Sequence, residues 1–294
     1  MAEFELRLEE NIFDLHARLQ SGSWKPNSYS VFFVQDPKLR KIHKASVRDR
    51  VLYQAMYQAL YQVFDSGFIH DSYSSRNFKG THAGFRRLQE FSRKLTNNYH
   101  LNGHVLKCDI RKFFDSIDHE ILLGLIKRKI VDERLFDLIE KIVRSFETVR
   151  GKGLPLGNVT SQLFANIYLN ELDQFTKHIL KAKYYIRYCD DFVILDLSEE
   201  KLKLQKEKIR LFLGQNLLLS LHPSKVIIQK MLQGTDFLGY VALPYYSVLR
   251  TKTKRRMFGK LKEDPRPKLV QSYLGMLKHC RGWKIRKKIL SLLS

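Results

Sequence analysis

The sequence predicts an α+β protein: a small antiparallel sheet with carboxylates at its strand ends, surrounded by amphipathic helices. Three observations lead there. Tyr184–Leu195, YYIRYCDDFVIL, sets an apolar run on each side of Asp190 and Asp191, the pattern of two strands meeting at a hairpin tip. Val105–Ile110, VLKCDI, is another apolar run, and it reaches Asp109. Apolar residues also recur at helical spacing behind Ser46, through Leu88, Phe91 and Leu95, and over 132–147. Adjacent aspartates occur in plain exposed turns as well, but three carboxylates on strand ends suit a two-metal centre for in-line phosphoryl transfer.

A chain of 294 residues holds one large or two modest domains with a substantial core. Hydrophobic content of 44% and seven prolines indicate continuous folding without long linkers. Fifty-two Lys and Arg against thirty Asp and Glu give +22, which calls for a polyanionic partner. Nucleic acid is favoured over a membrane, because no long basic amphipathic anchor is present. Cys108, Cys189 and Cys280 match no metal-ligand spacing and no disulfide framework. Cys108 and Cys189 directly precede Asp109 and Asp190, and read as small buried strand residues rather than nucleophiles. The acidic, amphipathic N-terminus is unlike a signal peptide, and no apolar run has membrane-spanning length. A cytoplasmic protein is expected.

In chain order, residues 1–45 read as a short helix followed by an irregular basic segment around Trp24–Pro26 and Lys38–Lys44. Ser46–Asp49 fits a capping box, and Val47, Val51, Ala55, Leu60 and Phe64 keep a helical period behind it. Arg48 and Arg50, near that start, read equally as solvated surface or nucleic-acid contact. Ser72–Gly80, SYSSRNFKG, is a polar loop whose Arg76 and Lys79 suit a triphosphate or a nucleic-acid backbone. A helix through Leu88, Phe91 and Leu95 follows. Phe113 and Phe114 stand just past Asp109, either as core or as a wall against a nucleotide sugar, and Asp118 is a good N-cap. Leu135, Leu138, Ile142 and Phe146 mark one face of the helix over 132–147.

Gly151–Gln162, GKGLPLGNVTSQ, is a glycine-rich loop without the Gly-Lys-Ser/Thr ending of a Walker loop. It leads into a helix from Leu163 to about His178, where its backbone can approach a phosphate or a base. Glu199–Leu213 reads as a charged helix. Leu217–Leu221 and Lys225–Gln229 read as strands joined by a turn at His222–Ser224, and Phe237–Tyr240 and Tyr245–Leu249 as two more. From Thr251 a basic, mainly helical tail begins, interrupted at Pro265 and Pro267, with a minor boundary near Arg250.

The order of these pieces resembles the reverse transcriptases, from about Ile42 to about Trp283, most specifically in CDIRKFFDSIDHEIL, GLPLGNVTSQLFANIYLNELD and YIRYCDDFVIL. The resemblance implies a right-hand polymerase with fingers and an antiparallel-sheet palm over 1–250 and a short helical thumb over 251–294. It implies that Asp109, Asp190 and Asp191 form the catalytic triad and hold two Mg²⁺ ions, the carbonyl of Ile110 completing one shell. It turns Arg76 and Lys79 towards the triphosphate, places Phe114, beside Phe113, at a ribose gate, and puts Leu156, Gly157 and Gln162 at the nucleotide. Lys225 corresponds to a lysine that assists pyrophosphate departure, and Phe237, Leu238, Gly239 and Tyr240 to the primer grip.

Pro155-Leu156-Gly157 with Thr160-Ser161-Gln162, in place of the usual P-Q-G, is similar to the reverse transcriptases of diversity-generating retroelements. SYLGMLKHCRGWK and FLGYVALPYYSVLR point the same way. That branch implies adenine-mutagenic cDNA synthesis on a template-repeat RNA, with an RNA template, a DNA or RNA primer, dNTPs and a small, basic, oligomeric accessory protein as partners. Another bacterial reverse transcriptase, of retron or phage-defence type, is the alternative. A non-catalytic RNA-binding protein on the same scaffold would have no need of all three aspartates.

Overall fold

The computed structural model describes residues 2–35 and 39–291. Two helices, α1 (Ala2–Leu6) and α2 (Leu8–Gln20), lead into an antiparallel hairpin of β1 (Ser30–Gln35) and β2 (Leu39–Lys44). The basic segment expected to be irregular is therefore partly a hairpin; Lys38 lies outside the described residues. Most hairpin side chains are exposed, so no inside–outside alternation marks these strands. In α3 (Val47–Asp65) the cap forms as expected, Ser46 Oγ accepting from the Asp49 amide. The buried stripe is Leu52, Tyr53, Met56, Leu60 and Phe64, and Ala55, expected within it, is exposed. Arg48 donates to the Lys25 carbonyl at 2.8 Å and pairs with Asp49, fastening the preceding segment.

After α4 (Thr81–Leu95) come β3 (His104–Asp109), α5 (Phe113–Ser116), α6 (His119–Lys127), α7 (Glu133–Arg144) and α8 (Val159–Gln174). Asp118 caps α6 by accepting from the amides of Glu120 and Ile121. Helix α8 begins four residues before the expected Leu163, which puts Thr160, Ser161 and Gln162 in its first turn. It continues as one π-helical turn over Phe175–Ile179. Next are β4 (Tyr184–Tyr188), β5 (Asp191–Asp196), α9 (Glu199–Asn216) and β6 (Ile227–Lys230). Leu217–Leu221, expected as a strand, makes a single bridge between Leu221 and Ile110. β7 (Thr235–Phe237), β8 (Tyr240–Leu243) and β9 (Tyr246–Leu249) precede α10 (Thr251–Glu263), α11 (Pro267–Leu277) and α12 (Trp283–Leu290).

Phe237–Tyr240 is thus not one strand but the end of one, a two-residue turn and the start of the next. Leu238 (φ 53°) and Gly239 (φ 88°) are both left-handed, as tight hairpins require because that backbone matches the strand twist.

The chain divides into two compact units. One holds the described residues of Met1–His70, Ile110–Phe175 and Arg210–Leu221. There α3 packs on α8, and Tyr168 donates to the Leu217 carbonyl at 2.7 Å. The other holds Asp71–Asp109, Thr176–Ile209 and the described part of His222–Ser294. It contains a four-stranded sheet ordered β4-β5-β3-β6 and a three-stranded sheet ordered β7-β8-β9. One core joins Phe85 and Leu88 of α4, Val105, Ile186 and Val193 of the larger sheet, Tyr240 and Leu249, and Met257, Val270 and Ile289 of the last three helices. Burying each large apolar side chain contributes about 1.5–3 kcal/mol, so Ile186→Ala would cost about 2–5 kcal/mol. The helices after Arg250 therefore share a core with the carboxylate-bearing sheet.

Candidate active site

The site is built in the second unit from the ends of three strands. Asp109, the last residue of β3, lies directly opposite Asp191, the first of β5, and Tyr188 faces Asp191 from β4. Directly opposed residues on antiparallel strands project on one face with Cβ atoms about 4.5–5.5 Å apart, so Asp109 and Asp191 are held together by the ladder itself. Asp190 occupies the two-residue tip with Cys189, whose φ of 55° is left-handed. Such a conformation costs a non-glycine residue on the order of 1 kcal/mol or more and persists only where its surroundings impose it.

Those surroundings are visible. Arg187, 0% exposed, donates from Nη1 to the Cys189 carbonyl at 3.2 Å. Its own backbone pairs with the preceding loop, its amide donating to the Asp71 carbonyl (3.0 Å) and its carbonyl accepting from the Tyr73 amide (2.9 Å). Asp71 accepts from Arg87 Nε at 2.8 Å. The loop so anchored carries Arg76, which donates to the Ser72 carbonyl, and Lys79, whose ammonium stands 5.0 Å from the Tyr73 ring centroid. Both expected cations thus belong to a loop hydrogen-bonded to the strand that leads into the aspartate tip.

Two lysines stand against two of the carboxylates. Lys225 Nζ donates to Asp109 Oδ1 at 2.7 Å, and the turn before it is tied to the same residue, the His222 amide donating to the Asp109 carbonyl at 2.8 Å. Lys107 lies 3.9 Å from Asp191 Oδ2 and donates to the Asp236 carbonyl at 2.8 Å. Asp236 in turn pairs with Arg250 at 2.8 Å. Lys107 was missed from sequence, although its spacing gave a signal: two residues before Asp109 on a strand, it projects on the same face.

Burial pushes the Asp191 carboxyl up to about 7, with the Lys107 ammonium opposing and Asp190, Asp109 and Asp236 reinforcing. Burial also raises Asp190, and Asp109 adds to it. Burial pushes the Cys108 and Cys189 thiols up, which makes both poor nucleophiles. Cys108 is a buried strand residue as expected, whereas Cys189 is half-buried and sits in the turn rather than in a strand. Asp191 Oδ1 is buried with no hydrogen-bond partner among the described residues. Crowded carboxylates with an orphaned oxygen form a hard, anionic donor set that fits Mg²⁺. Among the described residues, however, no group of three or more His, Cys, Asp or Glu side chains stands arranged to hold a metal ion. Lys225 and Lys107 supply counter-charge to Asp109 and Asp191.

Within the second unit, Phe237 and Tyr240 are fully buried, the Tyr240 hydroxyl meeting the Met276 carbonyl and His82 Nδ1 at 3.2 Å each. Of Phe237–Tyr240, Leu238 and Gly239 form the tip.

The remaining expected residues lie in the first unit. Ile110 is buried, bridging Leu221. Phe113 is buried at 2% exposure and meets the half-buried Phe114 edge-on at 5.4 Å, so Phe114 is the ring with free surface. The Leu156 carbonyl accepts from the His43 amide at 2.9 Å, which fixes the glycine-rich loop on β2. Gly157 has φ 115°, and an added Cβ would stand 2.8 Å from Ile42 Cγ2, so this approach needs glycine. Asn158, 3% exposed and before the first turn of α8, has neither side-chain polar atom paired among the described residues. Gln162 is exposed on that turn.

Residues 33–242 match the family described as reverse transcriptase (RNA-dependent DNA polymerase). Protein YkfC of Escherichia coli K12 is 26% identical over 277 residues, covering 80% of this chain and 72% of its own length. The group II intron-encoded protein LtrA of Lactococcus lactis is 24% identical over 304 residues, covering 79% of this chain; the match spans 49% of LtrA. Among solved structures, apo telomerase from Candida tropicalis, truncated from its C-terminal domain, superposes with a TM-score of 0.56 at 14% identity. That match covers 82% of this chain and 60% of the telomerase chain, and the likeness is one of fold. With its antiparallel sheets and surrounding helices, the fold is consistent with a right-hand polymerase. No helix among the described residues is long and apolar enough to cross a membrane.

Proposed function

The chain belongs to the reverse transcriptase family, and from that premise we propose that it is an RNA-directed DNA polymerase making adenine-mutagenic cDNA on a template-repeat RNA. The observation that carries the polymerase reading is the pairing of Asp109 with Asp191 beside the Asp190 tip, with Lys225 against Asp109. Asp109, Asp190 and Asp191, with the Ile110 carbonyl, would hold two Mg²⁺ ions. Bound there, the ions supply Lewis-acid activation of a primer 3′-hydroxyl and charge neutralisation at the triphosphate.

The chain's own groups supply position and charge. Lys225 offers an ammonium, with a proton to give, to the departing pyrophosphate. Arg76 and Lys79 clamp the triphosphate, Phe114 blocks a ribose 2′-hydroxyl, and the tip within Phe237–Tyr240 grips the primer. Residues 1–250 act as fingers and palm and 251–294 as a thumb. The substrates are an RNA template, a DNA or RNA primer and dNTPs, and a small basic oligomeric protein assists.

The adenine-mutagenic branch rests on the Pro155-Leu156-Gly157 and Thr160-Ser161-Gln162 pattern, and Leu156 offers it a mechanism. A leucine in place of glutamine removes a hydrogen-bonding group worth about 0.5–1.5 kcal/mol, so a mismatched pair forfeits fewer fixed contacts. A second reading is another bacterial reverse transcriptase, of retron or phage-defence type and without the adenine bias, and the likeness to a group II intron-encoded protein is compatible with it. Sequencing cDNA made on a defined RNA template separates the two: errors concentrated opposite adenine support the first, and errors spread evenly over the four bases support the second.

A further inference from the structure

A cavity of about 610 Å³ opens in the second unit, lined by Arg86, Gln89, Arg93, Tyr99, Tyr245 and Tyr246. The lining contains two guanidiniums, three phenol rings and no carboxylate. Arg86 and Arg93 are seven residues apart, two helical turns along one side of α4, with Gln89 between them. Neither pairs with a carboxylate among the described residues, whereas Arg87 and Lys94 on the same helix are committed to Asp71 and Glu90.

The rings are held in place. Asn97, Asn98 and Tyr99 are three successive left-handed residues, pinned by the Asn98 amide on the Arg93 carbonyl (2.8 Å) and the Tyr99 amide on Thr96 Oγ1 (2.9 Å). Tyr99 meets Tyr245 edge-on at 5.2 Å, and Tyr245, itself left-handed at the β8–β9 turn, is 79% exposed. Arg281 covers the Tyr246 ring at 5.6 Å.

We propose that this pocket is a second nucleic-acid site that takes a single-stranded segment, one base stacking on Tyr245 and flanking phosphates meeting Arg86 and Arg93. Unpaired cations draw the backbone, and exposed rings accept any base by its flat face. An acidic peptide would use the cations but has no flat group for the rings. The volume lies within the range of about 300 to 1,000 Å³ that small-ligand sites occupy. The site is distinct from the carboxylates. Helix α4 ends beside Gly103, flanked by the Leu95 and Thr96 side chains, at the start of β3. Asp109 is at the other end of that strand, about 17 Å along it.

The inference goes beyond the polymerase reading, and its test needs no catalysis. Fluorescence anisotropy with labelled single strands of about 16 nucleotides, as RNA and as DNA, is measured on the whole chain without added metal. Tyr245→Ala is expected to weaken binding about tenfold, and Tyr245→Phe, which keeps the ring, to stay within about twofold of the parent. Arg86→Ala with Arg93→Ala is expected to flatten the log K against log salt slope by about 1.4. Removing the same charge at Lys127 and Lys208 should leave that slope unchanged. Binding of RNA alone identifies a template strand and of DNA alone a product strand; either, or both, supports the proposal. Equal losses in the pocket and control variants, an unaffected Tyr245→Ala, or a poly-glutamate peptide displacing the strand from the parent but not from the Arg86/Arg93 variant would overturn it. Melting curves establish that each variant is folded, and primer-extension activity, assayed separately, reports on the polymerase reading alone.

Discussion

Lys225 Nζ stands 2.7 Å from Asp109 Oδ1, joining the turn after α9 to the last residue of β3. The pair is partly open to solvent, with side-chain exposures of 38% and 22%. A pair so exposed contributes about 0–1 kcal/mol to stability, so its place in the site points to chemistry rather than to holding the fold. Lys225→Met is expected to lower kcat by about 10²-fold or more and to shift the unfolding free energy by less than about 1 kcal/mol. Single-turnover extension and a denaturant melt measure the two quantities. Comparable losses in both would make Lys225 structural.

Phe114→Val should admit ribonucleotides. Phe113 is committed to the core, which leaves Phe114 as the ring available to a sugar. The ratio of kcat/KM for dATP over ATP is expected to fall by at least about tenfold, roughly 1.4 kcal/mol of discrimination. An unchanged ratio would return Phe114 to packing.

Leu156→Gln restores a hydrogen-bonding group to the glycine-rich loop without disturbing its anchor, because the contact with His43 uses the Leu156 backbone. Misincorporation opposite adenine is expected to fall about two- to tenfold, and more than opposite other bases. An active variant with the parental adenine error rate would remove Leu156 from the fidelity argument.

Acid should loosen the second unit at His82. This ring stacks on His279 at 3.8 Å and bonds the Tyr240 hydroxyl. Burial lowers its pKa, and the neighbouring His279 ring and Arg86 guanidinium add to the shift. A histidine with a lowered folded pKa contributes stability that is present above its unfolded value, about 6.5, and is lost as pH falls through the folded one. The drop in Tm between about pH 7.5 and pH 5 is therefore expected to be smaller in His82→Gln than in the parent. Equal drops would exclude His82 as the titrating group.

The sequence made the aspartates legible because their signal is local: apolar strand residues stop where a carboxylate begins. Ser46 and Asp118 were legible for the same reason, a cap acting within three residues of itself. What stayed hidden depends on partners distant in sequence or on backbone conformation. Arg187 looks like a solvent-facing interruption of an apolar run, yet it is fully buried and braces the Cys189 turn. Lys107 reaches a carbonyl 129 residues away. Phe237–Tyr240 reads as a strand by composition, while Leu238 occupies a left-handed turn position that side-chain preference does not reveal. The β1–β2 hairpin lacks the one-sided burial that produces alternation.

The central claim is that Asp109, Asp190 and Asp191 are the reacting centre of an RNA-directed DNA polymerase. Primer extension on an RNA template with dNTPs and Mg²⁺, run with the parent chain and Asp190→Asn and with an accessory protein if activity requires one, tests it most directly. An amide of the same shape is a poor Mg²⁺ ligand, so the account expects extension by the parent and less than about a thousandth of that rate in the variant. Melting and RNA binding should be unchanged. Extension by Asp190→Asn at a rate near that of the parent would contradict the assignment of this hairpin.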